Sequence, residues 1–120
     1  MEMMQLGAVE MRFAELIWEH APIGSGELVP LCQKELNWKK STTYTVLRKL
    51  CQRGLFQNID GCVSVVITKE EYRSLQSTQF VEGAFAGSLP AFLAAFTSKK
   101  ALTEKEIAEI QAMIDSCKES

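Results

Sequence analysis

Positions 39 to 49 read Lys-Lys-Ser-Thr-Thr-Tyr-Thr-Val-Leu-Arg-Lys, four cations and five hydroxyls in one short run. These side chains suit a nucleic acid. Lysine and arginine neutralise phosphates, and hydroxyls bond phosphate oxygens or base edges. An arginine in the major groove can grip a guanine with two parallel hydrogen bonds, a contact worth about 1–3 kcal/mol of discrimination. On a helix turning by about 100° per residue, Ser41, Thr45, Arg48 and Gln52 fall on one side, with Thr42, Tyr44 and Lys49 flanking them. Thr43, Val46, Leu47 and Leu50 fall on the other side. One face is packable and the other is a row of donors, so the candidate DNA contacts are Lys39, Lys40, Ser41, Thr42, Tyr44, Thr45, Arg48 and Lys49. The competing assignment is ordinary helix-surface hydrogen bonding, which for Thr43, on the packable side, is the better one.

Charge distribution supports that choice of segment. The 120-residue chain has a formal net charge of −2, which by itself does not favour a polyanion. Residues 1 to 33 set Arg12 against Glu2, Glu10, Glu15, Glu19 and Glu27. Residues 34 to 53 reverse the sign, with Lys34, Lys39, Lys40, Arg48, Lys49 and Arg53 against Glu35. A basic segment in an acidic chain attracts phosphate locally whatever the total.

Other chemistry finds no support. Cys32, Cys51, Cys62 and Cys117 form no Cys-x-x-Cys pair, and the single histidine, His20, is remote from them. They read as small apolar thiols kept reduced, not as metal ligands, and no cofactor is expected. There is no glycine-rich phosphate loop, nucleophile elbow or His-Glu-x-x-His. His20 ends a helix, where a cation is favourable without any catalytic role. No enzyme is expected. Hydrophobic residues make up 47% and charged residues 23%, ordinary for a globular domain. No apolar run nears the ~20 residues that span a bilayer, and no leader pattern opens the chain. A cytoplasmic protein without membrane insertion is expected.

The elements that must position the basic run follow from hydrophobic periodicity. Leu6, Val9, Phe13, Leu16 and Ile17 predict a first helix over about residues 6 to 20, broken by Ala21-Pro22-Ile23-Gly24. Ser25 is the expected N-cap of a second helix, with Leu28, Val29, Cys32 and Leu36 inward, an irregular start at Pro30 and an end near Asn37. The third helix spans about 40 to 53, stopped by Gly54. Asp60-Gly61 between two β-prone runs, Leu55–Ile59 and Cys62–Ile67, predicts a hairpin. Three helices and a hairpin make a helix-turn-helix with a wing.

Thr68 with Glu71 opens a fourth helix as a capping box, running to about Phe85. Gly87-Ser88 interrupts it, and Ser88 caps a short fifth helix with Pro90 in its first turn. Thr103 with Glu106 opens the last, helped by a Leu102–Ile107 staple. The expected fold class is therefore mainly α with a small β-hairpin. Residues 1–68 form a winged helix-turn-helix head, and residues 69–120 a helical region without a core of its own. Phe80, Phe85, Leu89, Phe92, Leu93, Phe96, Ile107, Ile110 and Ile114 need a partner, most simply the same surface on a second copy. A two-fold protein matches a palindromic site on double-stranded DNA.

The segments Leu6 to Ala21 with Ile17-Trp18-Glu19, the run from Lys40 to Leu50, Arg53-Gly54-Leu55, Phe92 to Phe96 and Leu102 to Ile107 resemble the penicillinase-repressor family of bacteria. The resemblance covers nearly the whole chain, and its most specific element is the Ser-Thr-Thr helix. It implies a dimeric winged-helix transcriptional repressor on palindromic promoter DNA, with the C-terminal helices forming the dimer. It also implies a membrane sensor protease as a partner that cleaves within those helices, in operons of β-lactam resistance and, in one branch, copper homeostasis. Three departures stand out. Ala95-Phe96 takes the place of the family's Asn-Phe cleavage site, Cys117 is the only cysteine in the tail, and Cys62 to Ile67 carries no base, which leaves Lys69 as the cation near the wing. Two other readings are a winged-helix protein-interaction adaptor without DNA binding and a repressor gated by a small ligand.

Overall fold

A computed structural model describes residues 6–117. Glu2 and the outermost residues of both expected domains (1–5 and 118–120) lie outside the described residues. The described chain forms α1 (Ala8–His20), β1 (Ile23–Gly24), α2 (Ser25–Leu36), α3 (Lys40–Gln52), β2 (Phe56–Ile59), β3 (Cys62–Val65), α4 (Lys69–Phe85), α5 (Leu89–Thr97) and α6 (Glu104–Ser116). It divides into two compact units, one ending at Gln79 and the other starting at Phe80, so that α4 contributes to both.

In the first unit the apolar stripes converge. Phe13, Ala14 and Ile17 of α1, Leu28 and Cys32 of α2, and Leu47 and Leu50 of α3 are buried together with Leu55, Phe56 and Val63 of the hairpin. Tyr72, in the first turn of α4, belongs to the same core, and its hydroxyl accepts from the Leu6 N–H (3.2 Å). This burial fixes the start of α4 to the first unit. Trp38, in the turn between α2 and α3, packs tilted against Phe13 with ring centroids 5.1 Å apart. Asn37 closes α2 in the left-handed region (φ 57°), which an asparagine tolerates, and so swings the chain into α3.

The hairpin forms where Asp60-Gly61 predicts it. Both residues have positive φ (52° and 80°), the requirement of a two-residue turn that matches strand twist. β2 and β3 pair antiparallel, Phe56 opposite Val65 and Ile59 opposite Cys62. The pleat then turns Phe56, Val63 and Val65 to the core and leaves Gln57, Ile59, Cys62 and Ser64 outside.

Two local details differ from expectation. Ile23–Gly24 is more than a helix break: it is a third strand, pairing with β3 to give the order β1-β3-β2. A two-residue strand has no periodicity to read, and it exists only because β3 offers it an edge. Ser25 is the first residue of α2 rather than its N-cap, which is Gly24. The Ser25 N–H donates to the Gly61 carbonyl (2.8 Å), and its hydroxyl is engaged with Tyr44.

In the second unit both expected caps are present. The Ser88 hydroxyl accepts from Ala91 N–H (3.0 Å), while Thr103 and Glu106 complete a reciprocal capping box at 2.9 and 3.0 Å. Phe80, Phe85 and Phe92 interlock edge to face with centroids 5.6–6.0 Å apart, and Phe96 lies tilted 6.1 Å from Phe92. The unit nevertheless has no fully buried side chain among α5 and α6. Phe96 is 49% exposed and Ile114 48%, and Phe80, Leu89 and Ile107 are also exposed. Phe85, Phe92, Leu93 and Ile110 are half-buried. Ala95 and Phe96 both lie inside α5.

Candidate nucleic-acid interface

α3 is held at three points. Leu47 and Leu50 anchor it in the core. Thr43, fully buried, sends its hydroxyl to the Lys39 carbonyl (3.1 Å), so the one polar group on the packed face is satisfied. On the neighbouring helix, burial pushes the Cys32 thiol up to about 11. Tyr44 packs half-buried against the core and donates its hydroxyl to Ser25 Oγ (3.3 Å), tying the start of α3 to the start of α2.

This anchoring leaves Ser41, Thr45, Arg48 and Gln52 exposed in a row along the outer side of α3. Thr42 is half-exposed beside them, and Lys39 and Lys40 are exposed at the helix start. The N-cap, Lys39, contributes no side-chain bond to the first turn, and that turn contains no acid. By contrast Glu10, Glu27, Glu70 with Glu71, and Glu104 with Glu106 occupy the first turns of α1, α2, α4 and α6. The positive end of the α3 dipole is therefore left for an external anion, with two lysines beside it.

Of the eight candidate contacts, six share this open surface. Tyr44 and Lys49 are engaged within the protein. Lys49 reaches across to α1, its Nζ 2.7 Å from Glu10 Oε2. The hydrogen bond from Lys49 is the main reason the Glu10 carboxyl titrates below the usual carboxylate range. Lys69, the cation near the wing, is likewise 3.3 Å from Glu15 Oε2. No sequence signal marks either pairing, because each joins residues from distant helices. Asn58, on the outer part of β2, joins Tyr44, Leu47, Arg48 and Cys51 in lining the cleft between α3 and the wing. Sequence reasoning passed over Asn58, since a lone asparagine before Ile59-Asp60-Gly61 reads simply as the approach to a turn.

Remaining polar groups are accounted for locally. The His20 Nδ1–H donates to the Leu16 carbonyl (2.9 Å). Among the described residues, no group of three or more histidine, cysteine, aspartate or glutamate side chains could hold a metal ion. Among them also, no single helix is long and apolar enough to cross a membrane.

Comparison with known proteins finds three similarities. A multiple antibiotic-resistance repressor (MarR) from Listeria monocytogenes 4b F2365 matches over 94% of this chain and 73% of its own, at 18% identity and a TM-score of 0.46. A penicillinase repressor of Bacillus licheniformis is 25% identical over 118 residues, covering 95% of this chain and 92% of that protein. The penicillinase repressor family model matches residues 6–116, nearly the full length. The chain therefore belongs to the penicillinase repressor family, whose members are transcriptional regulators and not enzymes.

Proposed function

We propose that this protein is a cytoplasmic, sequence-specific DNA-binding repressor that acts as a homodimer on a palindromic promoter site. The observation carrying the reading is the exposed row Ser41, Thr45, Arg48 and Gln52 on a helix whose opposite face is locked into the core. A single helix of this kind fits the major groove, with its N-terminal half toward the base edges. Arg48 is the base reader, Ser41, Thr42 and Thr45 bond bases or phosphates, and Lys39 and Lys40 neutralise phosphates beside the helix start. The exposed apolar side chains of α5 and α6 support self-association of the helical region from residue 69 onward. Cleavage at Ala95-Phe96 by a sensor protease would require α5 to unwind.

The test is a gel-shift titration against DNA from upstream of the protein's own gene, at two salt concentrations, with Arg48→Ala alongside. Specific binding that weakens with salt, and falls by roughly 5- to 150-fold in the variant, is the expected result, the equivalent of about 1–3 kcal/mol. Absence of any specific shift at low salt rejects DNA binding at that promoter. It would favour the adaptor reading, in which apolar contact at the wing tip, where Ile59 is 59% exposed, replaces phosphate contact.

A further inference from the structure

We infer that Glu10 is an internal competitor for Lys49, holding this lysine off the DNA backbone and so limiting sequence-independent affinity. The inference rests on the DNA-binding reading above and extends it. Lys49 flanks the exposed row of α3, next to Thr45 and Gln52 on the helical wheel, where a cation would ordinarily meet a phosphate. Instead its Nζ sits 2.7 Å from Glu10 Oε2.

The two partners are not equally mobile. Glu10 Oε1 accepts the Gly7 N–H (3.2 Å), so the carboxylate is fixed at the N-terminus of α1, where the helix dipole also favours it. Glu10 is 22% exposed, whereas Lys49 is 52% exposed on a flexible stem. The lysine is therefore the arm that can move. An exposed ion pair of this kind is weak, and a DNA phosphate can contend for the same ammonium. The consequence falls equally on specific and non-specific binding, because a phosphate contact adds affinity for every sequence alike. A repressor that withholds one such contact keeps its ratio of specific to non-specific binding and lowers both affinities together, so that it leaves DNA more readily at a given salt concentration.

The experiment is fluorescence anisotropy of the full chain against upstream DNA and a scrambled duplex of equal length, over a salt series, for wild type, Glu10→Gln, Lys49→Met and the double variant. Glutamine keeps an oxygen for Gly7 and so preserves the cap while removing the charge. Glu10→Gln should tighten binding to both duplexes by a similar factor, up to about fivefold at low salt, the most that an exposed ion pair withholds, and steepen the log K against log salt slope by up to about 0.9. Lys49→Met should leave the wild-type slope nearly unchanged, and the double variant should match it. An unchanged slope in Glu10→Gln with wild-type binding intact overturns the competition alone. A change of equal size in the Lys49→Met background also overturns it, by reducing Glu10 to a diffuse repulsion. A wild type with no salt-dependent binding to either duplex overturns the DNA-binding reading, and the competition with it.

Discussion

The indole N–H of Trp18 donates to the carbonyl of Ile67 at 3.0 Å, tying the last turns of α1 to the chain as it leaves the wing. The same ring lies 5.5 Å from Phe56 and 5.8 Å from Tyr72, so one side chain joins α1, the hairpin and the first turn of α4. Trp18→Phe keeps an aromatic ring and removes the donor. We expect a loss of about 1–3 kcal/mol, read from the midpoint of urea unfolding, because the Ile67 carbonyl is left without this partner. A loss well under 0.5 kcal/mol would mean that water replaces the indole.

Gly61 carries the hairpin turn at φ 80°. A Cβ added there would meet only Ser25 Oγ, at 3.9 Å, which is ordinary contact. The cost of Gly61→Ala is therefore backbone strain alone, about 1–2 kcal/mol. Thermal unfolding should show that loss while Asp60→Gly, at φ 52°, is neutral or mildly stabilising. Equal losses in both variants would point to side-chain contacts instead.

The thiols should react in order of burial. Cys62 and Cys117 are exposed, Cys51 is half-buried with burial raising its thiol, and Cys32 is buried with its thiol raised to about 11. The native protein should label at Cys62 and Cys117 first, at Cys51 slowly, and at Cys32 only as the molecule unfolds, as followed by mass spectrometry after alkylation. The raised value fixes the sign of the pH dependence. Cys32 favours the fold below the ordinary thiol range, and that contribution is lost as pH rises from there through about 11. Cys32→Ala should flatten the alkaline decline in stability, and an identical decline in the variant would assign it to another group.

Self-association should depend on the exposed side chains of α5 and α6. Phe96→Glu combined with Ile114→Glu places charges on side chains 49% and 48% exposed, so the isolated chain should fold as before. Sedimentation equilibrium is expected to give a dimer for the wild type and a dissociation constant raised at least a hundredfold in the variant, more than about 2.7 kcal/mol. A monomeric wild type at micromolar concentration would remove the dimer from the proposal.

Much of this protein is legible from local sequence because its elements are locally specified. The Asp60-Gly61 turn, the Thr68–Glu71 and Thr103–Glu106 boxes, the Ser88 cap and the Gly54 stop each depend on residues a few positions apart, and each forms as read. The two-faced character of the helix 40–53 is equally local, being set by helical period and side-chain type alone. Tertiary structure decided what distant residues do to one another. β1 depends on the edge of β3, Tyr72 draws the start of α4 into the first unit, and Tyr44 and Lys49 turn from the open row toward Ser25 and Glu10. These outcomes turn on which side chains the packed helices bring together, 19 residues apart for Tyr44 and Ser25 and 39 for Lys49 and Glu10, separations over which periodicity and capping carry no information.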